Sequence, residues 1–160
     1  MNNLLTIPVL APMLGAALTL MLGRRPRAQR AVSILVLVVV VAAAGVLAVQ
    51  AHLHGVQTLW VGAWPEGYGI ALVGDRLASI MLTVASVVTL AVLVYSTGQD
   101  QEELRHETPV SIFHPTFLVM CAGVSGAFLA GDLFNLFVGF EVLLFASYVL
   151  LTMGGTGARM

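Results

Sequence analysis

Long apolar runs separated by short polar segments divide this chain of 160 residues. A run of roughly 20 apolar residues forms a helix about 30 Å long, which matches the hydrocarbon thickness of a bilayer. The pattern predicts five transmembrane helices, and their expected ranges are 4–22, 31–49, 77–95, 112–130 and 133–153. The expected fold class is therefore an all-α polytopic membrane protein.

The segment between the second and third runs departs from this pattern. It contains two short β-prone stretches, Thr58–Trp64 and Tyr68–Val73, on either side of a Pro-Glu-Gly turn. Two such stretches around a Pro/Gly turn predict a β-hairpin. We expect Trp60, Trp64 and Tyr68 at the membrane interface, where amphipathic rings are enriched.

Only Gly131 and Asp132 separate the fourth and fifth runs. Glycine is a common helix stop, and an aspartate before an apolar run is a common N-cap. Small residues recur at four-residue intervals in the fourth run, at Ala122, Gly126 and Ala130, so a neighbouring helix can approach closely. We therefore predict a tight antiparallel helix pair in which Asp132 caps the fifth helix.

Glu141 is the charged residue that lies deep inside a run of membrane-spanning length. A carboxylate near the bilayer midplane costs about 2.5–3.5 kcal/mol on insertion scales, so such an acid indicates a functional site. Its helical face also carries four aromatic residues, Phe134, Phe137, Phe145 and Tyr148. We expect this face to turn toward other protein, where Glu141 can meet a basic partner, a proton or water. The alternative is a permanently protonated acid that bonds one helix to another.

Four polar residues share one face of the third predicted helix, and they are Asp75, Ser79, Thr83 and Ser86. Such a stripe can line a hydrated path across the membrane. Small polar residues also serve as ordinary contacts between membrane helices, and this second interpretation is favoured.

The composition narrows the class further, because 59 % of the residues are hydrophobic and 9 % are charged. A soluble domain of this size is far less apolar. The formal net charge of −1 gives no reason to expect nucleic acid as a partner. The single cysteine, Cys121, is interpreted as a buried packing thiol, and His52 and His54 as surface residues, since a metal site needs more ligands. We expect neither a metal nor a cofactor.

The arginines predict the orientation in the membrane. If five helices cross the bilayer, six of the seven arginines fall on one side, namely Arg24, Arg25, Arg27, Arg30, Arg105 and Arg159. Only Arg76 falls on the other side, so the positive-inside rule places the amino terminus outside and the carboxyl end in the cytoplasm. The residue usage is typical of a GC-rich bacterium, which suggests a bacterial inner membrane. No basic residue precedes the first run, unlike in a signal peptide, so we expect that helix to be retained.

The stretch from His114 to Leu151 closely resembles the D subunit of Mrp-type multisubunit sodium/proton antiporters. Such proteins are related to the antiporter-like membrane subunits of respiratory complex I. The likeness is strongest over GDLFNLF and FEVLLFASYVLL. It implies that Glu141 serves in proton transfer and coupling, together with lysines on later helices. It also implies other antiporter subunits, the lipid bilayer, protons and sodium as partners.

Two features depart from that family pattern. Gly139 stands where relatives tend to carry a larger residue, and we expect this change to loosen the packing beside Glu141. The chain also ends at Met160 after five predicted spans and contains no lysine, whereas the family's subunits have many more helices. Residues 1–160 are therefore interpreted as the N-terminal segment of a truncated or split subunit.

The predicted function is that of a membrane subunit of a sodium/proton antiporter, a transporter and not an enzyme. One alternative is a proton-pumping membrane subunit of an NADH–quinone oxidoreductase-like complex. Because the sequence shows no nucleotide loop, haem ligand pair or cysteine cluster, redox chemistry would then reside in other subunits. The other alternative is a structural or assembly fragment that transports nothing.

Overall fold

The computed structural model describes residues 3–23, 25–63, 69–103 and 110–153. These residues form five α-helices, with a short 3-10 turn at Asn3–Thr6 and a small sheet. The helices are α1 (Ile7–Met21), α2 (Pro26–His54), α3 (Arg76–Glu103), α4 (Val110–Phe128) and α5 (Leu133–Met153). The expected all-α membrane fold with a short hairpin between the second and third helices is confirmed.

The helices differ in how far they extend beyond the apolar runs. Among the described residues, four apolar helices are long enough to cross a bilayer, and α4 contributes a shorter apolar stretch, Ile112–Phe128. Helix α2 has 29 residues and α3 has 28, so both continue past the apolar ranges into polar sequence. Pro26 occupies the first position of α2, where its missing N–H removes no helical hydrogen bond, and no further proline or glycine follows in the polar ends of that helix.

The helices pack in a spatial order that differs from their order in the chain. Helix α4 contacts both α1 and α5, while α2 contacts α1 and α3. One buried apolar cluster lies near the sheet and includes Leu5, Leu47, Leu59, Leu72 and Leu129. A second cluster lies farther along the helices and includes Leu37, Leu93, Phe117 and Leu118. Helix α5 packs mainly on α4 and therefore lies at the edge of the bundle.

The predicted hairpin is confirmed, with strands β1 (Gln57–Trp60) and β2 (Ala71–Gly74) paired antiparallel. The register joins Gln57 to Gly74 and Trp60 to Ala71. The strands are shorter than the predicted β-prone stretches. Trp64, Tyr68 and the residues between them lie outside the described part of the chain, so the predicted interface position of those rings stays a prediction.

The turn between α4 and α5 pairs with the other edge of β2. The Val73 N–H donates to the Leu129 carbonyl at 2.8 Å, and the Gly131 N–H donates to the Ala71 carbonyl, also at 2.8 Å. Leu72 and Ala130 form an isolated antiparallel bridge between these two bonds. The segment 129–131 therefore extends the two-stranded sheet and joins the start of α5 to the hairpin.

Candidate functional site

Glu141 lies in the middle of α5 and faces away from α4. The buried residues of α5 are Gly139 and Ala146, and both pack toward the interior of the bundle. Helical geometry places them about 160° and 140° around the axis from Glu141. Glu141 itself is half-buried. The carboxyl group is therefore on the side of α5 that the described helices leave open.

The aromatic residues that share the face of Glu141 are strongly exposed. Their exposed fractions lie between 59 % and 69 %, and the residues are Phe134, Phe137, Phe145 and Tyr148. These four large rings around Glu141 form an apolar surface that no residue in the described part of the chain covers. The expectation that this face meets other protein stays a prediction, and the structure leaves the space for it.

The opposite face of α5 packs tightly against α4 through glycines. A Cβ atom at Gly139 would lie 2.8 Å from the Ala127 backbone nitrogen, and one at Gly123 would lie 2.7 Å from the Leu143 nitrogen. Such distances leave no room for a side chain. The close helix approach predicted from the small residues of α4 is observed, but it runs through Gly123 and Ala127, whereas a Cβ atom at Gly126 would meet no atom within 4 Å. The expectation that Gly139 loosens the packing is wrong, because this glycine lets the two backbones meet.

Asp132 caps α5, as predicted. Its Oδ1 accepts a hydrogen bond from the Asn135 N–H at 2.7 Å, which satisfies one of the free amides of the first turn. Its Oδ2 lies 3.4 Å from the Ala71 N–H of β2. One carboxylate therefore contacts both the helix that carries Glu141 and the hairpin. Glu141 lies nine positions further along the helix, roughly 13 Å away, so the two acids do not form a pair.

Asp75 has the same role at the start of α3. Its Oδ1 accepts a hydrogen bond from the Ala78 N–H at 2.6 Å, so this carboxylate caps the helix. The predicted polar stripe on α3 thus begins with a cap. The hydroxyls of Thr83 and Ser86 donate to carbonyls of the same helix, those of Ser79 and Thr83. Ser79 is fully buried. Both hydrogen bonds lie within α3 and join it to no other helix, so the packing interpretation of the stripe stays a prediction.

A small cavity lies among α2, α3 and α4 and has room for about one water molecule. Its polar lining consists of Ser86, Thr89, Cys121 and Ser125. Cys121 is 4 % exposed and makes a side-chain hydrogen bond with Thr89. The interpretation of Cys121 as a buried packing thiol is confirmed.

The histidines differ in their surroundings. His52 and His54 are exposed at the end of α2, as predicted, and the described residues hold no cluster of metal ligands. His114, near the start of α4, is only 2 % exposed, and its ring lies edge-on to Phe113 at 5.5 Å between centroids. No role was predicted for His114 from the sequence. Its spacing from buried Phe117, Leu118 and Cys121 carried the signal that it faces the interior.

The fold and the half-buried acid on an open helix face define the class as a polytopic helical membrane protein with an acid in the middle of one apolar helix. No protein-family model matches the chain. The D subunit of the Na+/H+ antiporter of Alkalihalophilus pseudofirmus is 37 % identical over 98 % of this chain and 31 % of its own length. The protein of the same name from Bacillus subtilis is 36 % identical over 100 % of this chain and 32 % of its own.

Other relatives extend this comparison. The D subunit of a probable K+/H+ antiporter of Rhizobium meliloti is 38 % identical over 100 % of this chain and 30 % of its own length. The Mrp complex from Dietzia sp. DQ12-45-1b contains a chain that superimposes with a TM-score of 0.82 at 32 % identity, covering 94 % of this chain and 27 % of that one. The archaeal membrane-bound sulfane sulfur reductase superimposes with a TM-score of 0.76 at 22 % identity, a likeness of fold alone, over 96 % of this chain and 30 % of that one.

The chain is thus a relative of the D subunits of these antiporters, and the resemblance found in the sequence is confirmed over nearly its whole length. It spans about a third of the length of the curated relatives that it matches. The matched stretch covers the five helices and therefore the position of Glu141.

Proposed function

We propose that this chain is the N-terminal five-helix segment of a membrane subunit in a multisubunit monovalent cation/proton antiporter, and that Glu141 transfers the proton. The observation that carries the proposal is the placement of Glu141 on the open face of α5, opposite the face that packs on α4. An acid inside a membrane requires a partner, a proton or water, and the open face is where these can reach it.

Sodium is the proposed cation. Relatives of nearly equal identity are named for sodium and for potassium, at 37 % and 38 % respectively, so sequence likeness does not separate the two ions. Exchange measured with each cation in turn decides between them. Greater exchange with potassium would reassign the substrate and leave the role of Glu141 unchanged.

The proposed partners are the rest of a longer subunit and further subunits of the complex. Support comes from the exposed aromatic face of α5, which would be covered in such an assembly. The proposed location is a bacterial inner membrane, with the amino terminus outside. A redox-linked proton pump is the alternative, but the likeness to the archaeal respiratory complex concerns the fold alone.

The test replaces Glu141 in the assembled complex. We expect Glu141→Gln to abolish cation-driven proton exchange, because glutamine cannot carry a proton through a titration cycle. Glu141→Asp should retain part of the activity, because aspartate titrates but reaches less far. Exchange is measured in sealed vesicles at matched levels of assembled protein.

Asp132→Asn is the matched control, because it removes the other acidic side chain of the α4–α5 pair while asparagine still caps the helix. This control should retain exchange. Full exchange with Glu141→Gln would leave Glu141 as a hydrogen-bonding residue between helices, and the proposal would be abandoned.

A further inference from the structure

We propose that Arg27 and Arg30, at the start of α2, bind the phosphate of an anionic phospholipid whose acyl chains lie along the exposed face of that helix. This lipid site goes beyond the proposed antiport and does not depend on it. Three observations carry the proposal: the unbalanced charge at this helix start, the direction in which the arginines face, and the apolar stripe that continues from them.

The first turn of α2 concentrates positive charge where a helix disfavours it. The partial charge at a helix N-terminus is positive, so arginines there repel it and acidic residues stabilise it. The first turn of α2 contains no acidic residue, and no Asp or Glu precedes Glu66 in the whole sequence. The carboxylates whose side chains the structure describes, Asp75, Asp132 and Glu141, lie at the sheet or in the middle of α5. An anion at this site would balance the charge.

Arg27 faces away from the protein interior, and Arg30 lies at the border of the buried face. Arg27 is exposed and Arg30 is half-buried. Gln29, between them, is fully buried and donates from its side-chain amide to the Thr19 carbonyl at 2.8 Å. Ser33, four positions further along, is also fully buried. The inner face of α2 is therefore fixed against α1, Arg27 is turned outward, and Arg30 lies at the boundary between the two faces.

An exposed apolar stripe continues from Arg27 along the same face of α2. Its members follow at helical spacings of three and four residues, and they are Ala31, Leu35, Val38 and Ala42. Leu35 is 65 % exposed and Val38 is 49 % exposed. Arg27 above such a stripe, with Arg30 one turn away beside it, matches a lipid molecule, in which a phosphate headgroup is followed by apolar chains.

The arginine side chain suits this ligand. Its planar guanidinium can bind two phosphate oxygens at once, and its apolar stem can extend from the membrane boundary to the headgroups. Acidic side chains of the protein itself could compete with a lipid phosphate for these arginines. The next polar segment expected on the same side of the membrane carries four of them, namely Asp100, Glu102, Glu103 and Glu107. That segment provides no apolar chains for the stripe, so the geometry favours the lipid.

The first experiment uses the intact protein in bilayers that contain photoreactive phosphatidylglycerol or photoreactive phosphatidylcholine with the same acyl chains. Peptide mapping should show crosslinks from phosphatidylglycerol at residues 27–42, in excess over those from phosphatidylcholine. Equal labelling by the two lipids, or labelling confined to other segments, would contradict the proposal. This measurement on the wild-type protein does not depend on how any variant folds.

The second experiment measures the affinity for phosphatidylglycerol by native mass spectrometry. A surface arginine contributes a factor of about 5 in the binding of anionic lipid, so Arg27→Gln/Arg30→Gln should weaken binding on the order of 30-fold. Arg76→Gln is the matched control, because Arg76 lies beside the sheet, at the other end of the helices. An equal loss in the control would show general charge attraction and overturn the assigned site.

A third comparison separates a lipid headgroup from a soluble phosphate. Excess inorganic phosphate should leave the crosslinking by phosphatidylglycerol unchanged, because it lacks the acyl chains that the stripe contacts. Complete displacement by inorganic phosphate would assign the arginines to a soluble anion and refute the lipid site.

Discussion

At the scale of single residues, the glycines between α4 and α5 decide how α5 is oriented. Gly139 and Gly123 allow two backbones to approach within van der Waals distance, and the face of α5 that carries them is opposite Glu141. Any side chain at these positions would push the helices apart. The orientation of the acid therefore depends on residues that never contact it.

We expect Gly139→Ala to destabilise the protein by about 1–3 kcal/mol, because the new methyl group would overlap the Ala127 backbone in a packed interface. Gly126→Ala is the matched control on α4, since a Cβ there meets no atom within 4 Å. Thermal unfolding of the purified protein in detergent measures both variants. A Gly139→Ala variant as stable as the control would show that the interface is looser than the structure indicates.

Sequence reasoning recognised the small residues of α4 but misjudged Gly139. The repeat at four-residue intervals in α4 gives a local signal for close packing. A single glycine flanked by large apolar residues in α5 gives no such signal. Whether it allows close packing depends on which backbone lies opposite it. That partner is set by the pairing of the two helices and is not encoded next to Gly139.

At the scale of elements, two Gly-Asp pairs mark the points where the chain leaves the small sheet and a helix begins. Gly74-Asp75 ends β2 and caps α3, while Gly131-Asp132 follows the strand-like segment beside β2 and caps α5.

Both helix caps could be predicted from the local sequence, although only that of Asp132 was predicted. The pairing of residues 129–131 with β2 could not be predicted, since three residues show no strand periodicity and their partner lies about 60 positions away.

We expect Asp132→Ala to reduce stability by about 1–2 kcal/mol, because the variant loses a helix cap and the weaker contact with β2. Asp132→Asn should stay within a few tenths of a kcal/mol of wild type, because asparagine caps a helix about as well as aspartate. Asp75→Ala should remove a cap of similar strength from α3.

Hydrogen exchange locates the effect of these variants. Asp132→Ala should speed the exchange of the amides of Asn135 and Leu136, whereas Asp75→Ala should speed that of Ala78 and Ser79. Unchanged exchange at the start of α5 in Asp132→Ala would mean that the cap contributes nothing to its order.

At the scale of the whole molecule, the hydropathy pattern predicted where the helices lie along the chain but not which helices pack against each other. Each apolar run was recognisable by length, because the backbone of a membrane span must satisfy its hydrogen bonds internally. The contact of α4 with both α1 and α5 was not predictable, because lipid-facing and interior faces are both apolar in these helices. The aromatic face of α5 was expected to meet other protein, since an acid there implies protein and not lipid beside it, and that expectation stays a prediction.

The orientation of the bundle is tested by cysteine labelling in cells. With Cys121 replaced by alanine, a membrane-impermeant reagent should label Thr58→Cys in the hairpin from outside. Pro26→Cys, in the arginine-rich connection, should react only after the membrane is opened. Arginines favour the cytoplasmic side, and the described ones at that connection are Arg25, Arg27 and Arg30. The reverse labelling pattern would invert the proposed topology.

Residues 1–160 by themselves should not exchange sodium for protons. The sequence provides one acid in the middle of an apolar helix and no lysine, whereas a path across the membrane needs more than one site. The comparison is between sealed vesicles that contain this purified segment and empty vesicles. Exchange clearly above the empty vesicles would show that the five helices form a complete path.

The sheet beside the α4–α5 turn determines how α5 can move. A helix that slides along its axis preserves its packing by steps of one turn, about 5.4 Å, while a strand preserves its facing side chains by steps of two residues, about 6.7 Å. Because α5 begins where residues 129–131 pair with β2, these two step lengths conflict. Sliding α5 along its axis would therefore break the hydrogen bonds between residues 129–131 and β2. Under the proposed function, we expect Glu141 to stay at one depth, so that a change of access comes from its side chain and from the water and helices around it.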